Sequence, residues 1–175
     1  MGEQHSYLRV MAFPFSRLTR RTLKILFLHE VGYFEKPIFE MHEFPEHLAS
    51  KGHEVGFVDF LEKPTQSRLI NFGDLVSGRV LQDCKLRLFS QPSNALGITG
   101  RLIAVVSFPR HFKNALKAFK PDLVVSYSVP TSGWQALLLC RRAGIPFVFR
   151  ALDVSHKIRK TRLSLLVKAA ERFIY

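Results

Sequence analysis

The chain has 175 residues, 47% hydrophobic and 23% charged, which excludes a disordered or fibrous protein and is enough for one self-sufficient core. Two cysteines, Cys84 and Cys140, are too few for a disulfide framework and lack zinc-ligand spacing, so a reducing cytoplasm is the default compartment. The formal net charge is +12, and residues 141–175 hold nine Lys and Arg against Asp153 and Glu171, which points to a polyanionic partner or to a merely solvated basic face.

Residues 1–22 lack clean periodicity and mix Arg9, Arg17, Arg20 and Arg21 with Phe13-Pro14-Phe15. They read as an N-terminal extension, and the arginines interrupt any signal-peptide core. A domain spanning 23–175 follows. Ile25-Leu26-Phe27-Leu28 is a short apolar run of the kind found in parallel strands buried on both faces. After the turn His29-Glu30-Val31-Gly32, the residues Ile38, Met41, Phe44 and Leu48 recur at helical spacing up to a glycine stop at Lys51-Gly52. Pro45 inside that pattern predicts a kink or a restart. Residues 54–59 predict the second strand of a right-handed βαβ unit.

The stretch from 60 to 100 is less legible, except that residues 85–89 alternate like a strand. From 101 to 119 the apolar spacing predicts one helix broken near Pro109, or two. Residues 123–127 predict a strand, Gly133 to Arg142 a helix and 145–149 another strand. Leu163, Leu166, Val167, Ala170 and Ile174 then outline an amphipathic helix with Lys160, Lys168 and Arg172 toward its other side. The uncharged run 123–140 approaches membrane-span length, but Ser126, Ser128, Pro130 and Gly133 divide it into strand, loop and helix.

Alternating strands and helices predict an α/β fold, a doubly wound, mostly parallel Rossmann-like sheet with helices on both faces. Ligands of such sheets bind beyond the carboxyl ends of the strands. That edge holds His29 to Gly32, Asp59-Phe60, Ser90-Gln91, Ser126 to Ser132 and Arg150 to His156. Motifs for a dinucleotide fold, a P-loop or a hydrolase elbow are absent. His42, His47 and His53 are poorly spaced for a shared metal and read as exposed helix surface; no metal site is expected. Gly32 permits close backbone approach to a ligand or simply makes a turn. The segment 128–133 leads into a helix N-terminus suited to an anion, or Thr131 or Ser132 is a plain cap. Arg150 can clamp a phosphate, and Asp153 can serve as a base, an Arg partner or a cap.

The phrases Lys51-Gly52-His53-Glu54-Val55, Lys120-Pro121-Asp122-Leu123-Val124-Val125-Ser126-Tyr127-Ser128, Arg142-Ala143-Gly144-Ile145-Pro146-Phe147-Val148 and Arg150-Ala151-Leu152-Asp153, in this order over 24–175, resemble the N-terminal domain of GT-B glycosyltransferases. The resemblance is to the retaining, glycosyltransferase 4-like group. It implies two Rossmann-like domains, the first receiving the acceptor, the second binding a nucleotide sugar and carrying an E-x7-E signature. On that footing the chain looks truncated before its nucleotide-sugar domain and inactive alone. The resemblance also implies no metal and no cofactor beyond the nucleotide-sugar co-substrate.

Gly32, Ser128 and Asp153 match the family positions, with Arg150 joining them in the cleft. The sequence departs from the family at Ser128, where many members have histidine, and at Gly32, where a Gly-Gly pair is usual; the catalytic residues are therefore not assigned. A sugar or lipid-linked acceptor is expected, with the protein peripheral on the cytoplasmic membrane face through Lys157, Lys160, Lys168 and Arg172. The alternative is a non-enzymatic basic α/β module for nucleic acid, against which stands the lack of an RNP-like aromatic motif.

Overall fold

The computed structural model describes residues 22–35, 37–60, 71–91, 97–127 and 132–150. In chain order its elements are β1 (Lys24–Leu28), α1 (Glu40–Ser50), β2 (Glu54–Phe60), β3 (Asp74–Ser77), β4 (Lys85–Gln91), α2 (Gly97–Phe119), β5 (Leu123–Ser126), α3 (Gly133–Ala143) and β6 (Phe147–Phe149). The strands form one sheet in the order β3-β4-β2-β1-β5-β6. Every neighbouring pair is parallel except β3 with β4. The doubly wound, Rossmann-like α/β architecture expected from the sequence is therefore present.

Alternation along each strand builds two apolar layers. Ile25, Phe27, Val55, Phe57 and Val125 meet Met41, Leu48 and Ala49 of α1 on one face. Leu26, Leu28, Val58 and Val124 meet Phe108, Phe112, Leu116 and Phe119 of α2 and Ala136, Leu137 and Cys140 of α3 on the other. Gly56 makes the second layer close-packed: a Cβ there would lie 2.9 Å from Leu26 Cδ1 and 3.2 Å from the Phe119 ring. Gly144 stops α3 in the left-handed conformation, at φ 65°.

Two expectations are corrected, and one element was not anticipated. Neither Pro45 nor Pro109 breaks its helix; each lies inside a continuous α1 or α2. The backbone bond that each proline forfeits is outweighed by burying its neighbours, Met41 in α1 and Phe108 and Phe112 in α2. His42 is fully buried rather than exposed. The element not anticipated is β3, for which the sequence carried no signal. Only four residues long and half exposed, it pairs as an edge strand and lacks a long apolar run.

Candidate functional site at the carboxyl edge of the sheet

β1 and β5 lie side by side, and the chain winds from them toward opposite edges, which opens a crevice at their carboxyl ends. The residue leaving each strand extends the hydrogen-bond ladder by one step. His29 N–H donates to Val58 O at 3.0 Å, Tyr127 N–H to Leu28 O at 2.9 Å and Arg150 N–H to Ser126 O at 2.9 Å. Alternation then turns all three side chains to the face of α1. The His29 and Tyr127 ring centres are 6.0 Å apart. The Arg150 guanidinium lies 5.9 Å from the Tyr127 ring and 5.8 Å from that of Phe44. The first turns of α1 complete the row, with Phe44 exposed and Glu40 paired with Arg150.

Tyr127 is the buried floor of this row, 3% exposed and stacked on Phe27. Its hydroxyl has no hydrogen-bond partner among the described residues. Burial raises its pKa; the Glu40 charge adds to this and the Arg150 charge opposes it.

On the other face, Glu30 reaches the start of α3. Its Oε1 accepts from Ser132 N–H at 3.3 Å and from Ser132 Oγ at 3.2 Å. Ser132 occupies the N-cap position without capping through its own side chain. A protein carboxylate thus sits at the helix end that the sequence offered to a phosphate or to a simple cap, and it favours the helix dipole.

Beyond Gly32 the loop is held by Tyr33. Its N–H donates to Asp59 Oδ2 at 2.6 Å, its hydroxyl donates to Glu46, and its carbonyl accepts from His42 Nε2 at 2.7 Å and from Arg79 Nη1 at 2.8 Å. Phe39 N–H donates to His42 Nδ1 at 3.3 Å, which fixes the tautomer with the proton on Nε2. Burial keeps His42 neutral, its bond to Tyr33 O opposing and the Arg79 charge reinforcing. Glu46 also accepts the backbone N–H groups of Arg79, Val80 and Leu81 at 2.8, 2.7 and 2.7 Å, tying the β3–β4 turn to α1. Burial pushes its carboxyl up, but the Tyr33 hydroxyl and these three amides outweigh it and hold the group below its ordinary value. Asp59 is the opposite case. Burial raises it to about 6, against the nearby Ser90 hydroxyl and the Tyr33 N–H.

Of the residues singled out in the sequence, Arg150 stands in the row. Gly32 is buried in the turn before Tyr33, where an added Cβ would meet Glu35 Oε2 at 2.7 Å. Ser128, Asp153, Lys157, Lys160, Lys168 and Arg172 lie outside the described residues. The edge expected from the sequence contained Tyr127, within Ser126 to Ser132, without singling it out, and left out Glu40 and Phe44. Phe44 was read only as one of the apolar residues recurring at helical spacing. Among the described residues no group of His, Cys, Asp or Glu is arranged to hold a metal ion, and Cys84 and Cys140 are free, buried thiols.

A family model described as "Glycosyl transferase 4-like domain" matches residues 41–175. The chain belongs to that family. Among solved structures, a sucrose-phosphate synthase from Thermosynechococcus elongatus superposes with a TM-score of 0.55 at 14% sequence identity. The superposition covers 87% of this glycosyl transferase 4-like chain and 39% of the synthase, and at such identity it shows the shared fold alone. No curated protein sequence matches the chain.

Proposed function

We propose that this glycosyl transferase 4-like chain is the acceptor-binding half of a retaining glycosyltransferase that moves a sugar from a nucleotide-sugar donor to a lipid-linked or saccharide acceptor. The observation that carries this reading is the family match over residues 41–175, which takes in β5 and, from the row beside the crevice, Phe44, Tyr127 and Arg150. Transfer requires an acceptor hydroxyl held against the anomeric carbon in a cleft that excludes water, with cations on the departing diphosphate. The row Tyr127, Arg150, Glu40 and Phe44 suits the first task. It suits the second poorly, because Glu40 already neutralises Arg150.

The diphosphate contacts therefore belong to a second, nucleotide-sugar-binding domain, and the reading needs no cofactor beyond the donor. The basic residues Lys157, Lys160, Lys168 and Arg172 would hold such an enzyme on the cytoplasmic face of an anionic membrane, each contributing up to about 1 kcal/mol near the surface. Among the described residues no helix is long and apolar enough to cross a membrane.

The test measures nucleoside diphosphate release and labelled-sugar incorporation from a panel of nucleotide sugars. The 175-residue chain alone should transfer nothing, while the same chain joined to a nucleotide-sugar domain should turn over. Turnover by the purified chain would end the half-enzyme reading. Co-sedimentation with vesicles should require anionic lipid and weaken with salt; equal binding to neutral vesicles would remove the membrane role.

A further inference from the structure

We infer that Tyr127, Arg150 and Glu40 form a subsite for a neutral, polyhydroxylated ligand, a pyranose ring of the acceptor, and not for a phosphate. The inference rests on the acceptor-binding reading above and gives it a chemical class.

The starting point is the Tyr127 hydroxyl, buried and without a partner among the described residues. A buried hydroxyl left unmade costs stability, so its retention calls for a use. The other unpartnered oxygens of Asp59, Ser90 and Gln91 lie on β2 and β4, where Asp59 and Ser90 are register partners on adjacent strands. Only the Tyr127 hydroxyl belongs to a ring covered by an exposed ion pair. The Arg150 and Glu40 side chains are 44% and 37% exposed. Arg150 is held over the ring by cation–π contact and by Glu40, and its long, flexible side chain can swing aside to admit a ligand to the hydroxyl beneath.

The charges decide what that ligand is. A sugar hydroxyl both donates and accepts, so a pair of adjacent hydroxyls can donate to Glu40 and accept from Arg150 while a third meets Tyr127, and no charge is left unpaired. A phosphate only accepts. It would have to displace Glu40 from Arg150 and remain beside that carboxylate. The other natural anion position on this edge, the start of α3, is already filled by the Glu30 carboxylate. Phe44, at 39% exposure, supplies an apolar wall for the ring's C–H face.

Saturation-transfer NMR on the 175-residue chain tests this, with the methyl glycosides of glucose, galactose, mannose and N-acetylglucosamine as probes and inorganic pyrophosphate as competitor. At least one glycoside should bind. Its affinity should fall about threefold in Tyr127→Phe and about tenfold in Glu40→Gln and Arg150→Gln, in line with the loss of a neutral and of a charged hydrogen bond. Pyrophosphate should not compete. Tyr127→Phe removes only an unpartnered oxygen and should melt at or above the parent chain, so a binding defect there is not a folding defect.

Binding by none of the glycosides, or displacement by pyrophosphate, would overturn the neutral-sugar subsite. Glycoside binding that survives all three substitutions would also overturn it, while leaving the acceptor-binding reading intact. Failure of the joined enzyme to transfer any sugar would remove that reading while glycoside binding still stood.

Discussion

The two ends of α1 handle polar groups in opposite ways. Toward its carboxyl end Glu46 is buried and saturated, accepting from the Tyr33 hydroxyl and from three consecutive backbone amides. Toward its amino end Glu40 and Phe44 flank Arg150, which stands over Tyr127, whose hydroxyl has no partner among the described residues. Tyr33 and Tyr127 are both buried in the same apolar layer, so burial alone does not separate them. Satisfaction does. A closed hydrogen-bond set specifies the loop geometry, and an open one leaves capacity for something outside the chain.

The largest effect should come from Glu46→Ala. It strands the amides of Arg79, Val80 and Leu81 and the Tyr33 hydroxyl, and should cost about 3–5 kcal/mol in chemical denaturation. A loss below about 1 kcal/mol would show that this end is not a lock at all.

Next in size is a pH effect. Asp59 is raised to about 6 in the folded chain, so folding retains a proton that the unfolded chain releases at the ordinary carboxylate value. Its contribution is fully present below that ordinary value and is lost as pH rises through 6, by about 3 kcal/mol. Asp59→Asn should flatten the slope over that window. Glu46, held below its ordinary value, has the reverse sign: its contribution is present above that value and is lost as pH falls through the folded pKa. An unchanged slope in Asp59→Asn would remove the assignment to Asp59.

Tyr33→Phe should cost about 1–2 kcal/mol, since it leaves a Glu46 oxygen short of a donor. Tyr127→Phe should cost nothing, leaving the chain as stable as the parent or more so, since it removes a buried oxygen that has no partner among the described residues. Equal costs at the two tyrosines would break the distinction between a finished and an unfinished end.

The parallel sheet was legible because its strands are buried on both faces and therefore read as unbroken apolar runs at 25–28 and 123–125. β3 was not, because a half-exposed edge strand has neither an apolar run nor strict alternation. His42 was misread for a related reason. Helical spacing says which residues share a face, but not that a neighbouring loop, here residues 78–84, will fold over that face and bury it. In the site, Arg150 was visible as a charge at a strand end. Tyr127 was hidden because an aromatic residue after an apolar run looks like more core. Its role depends on a missing partner, and no local pattern encodes that. Glu40 and Phe44 became meaningful only once the parallel pairing brought β1 beside β5, a contact between segments distant in sequence.

That same pairing sets a schedule for the chain's birth. β1 pairs on one side with β2, soon after it in sequence, but on the other side with β5; Lys24 N–H reaches the Asp122 carboxylate 98 residues away. At ribosomal speeds of roughly 5–20 residues per second, β1 waits on the order of 5–20 s before its second flank can be covered. For that interval Phe27 and Leu28 present an unpaired apolar edge, and the crevice does not exist. The centre of the sheet, and with it the row beside Tyr127, is among the last parts of the described chain to be made.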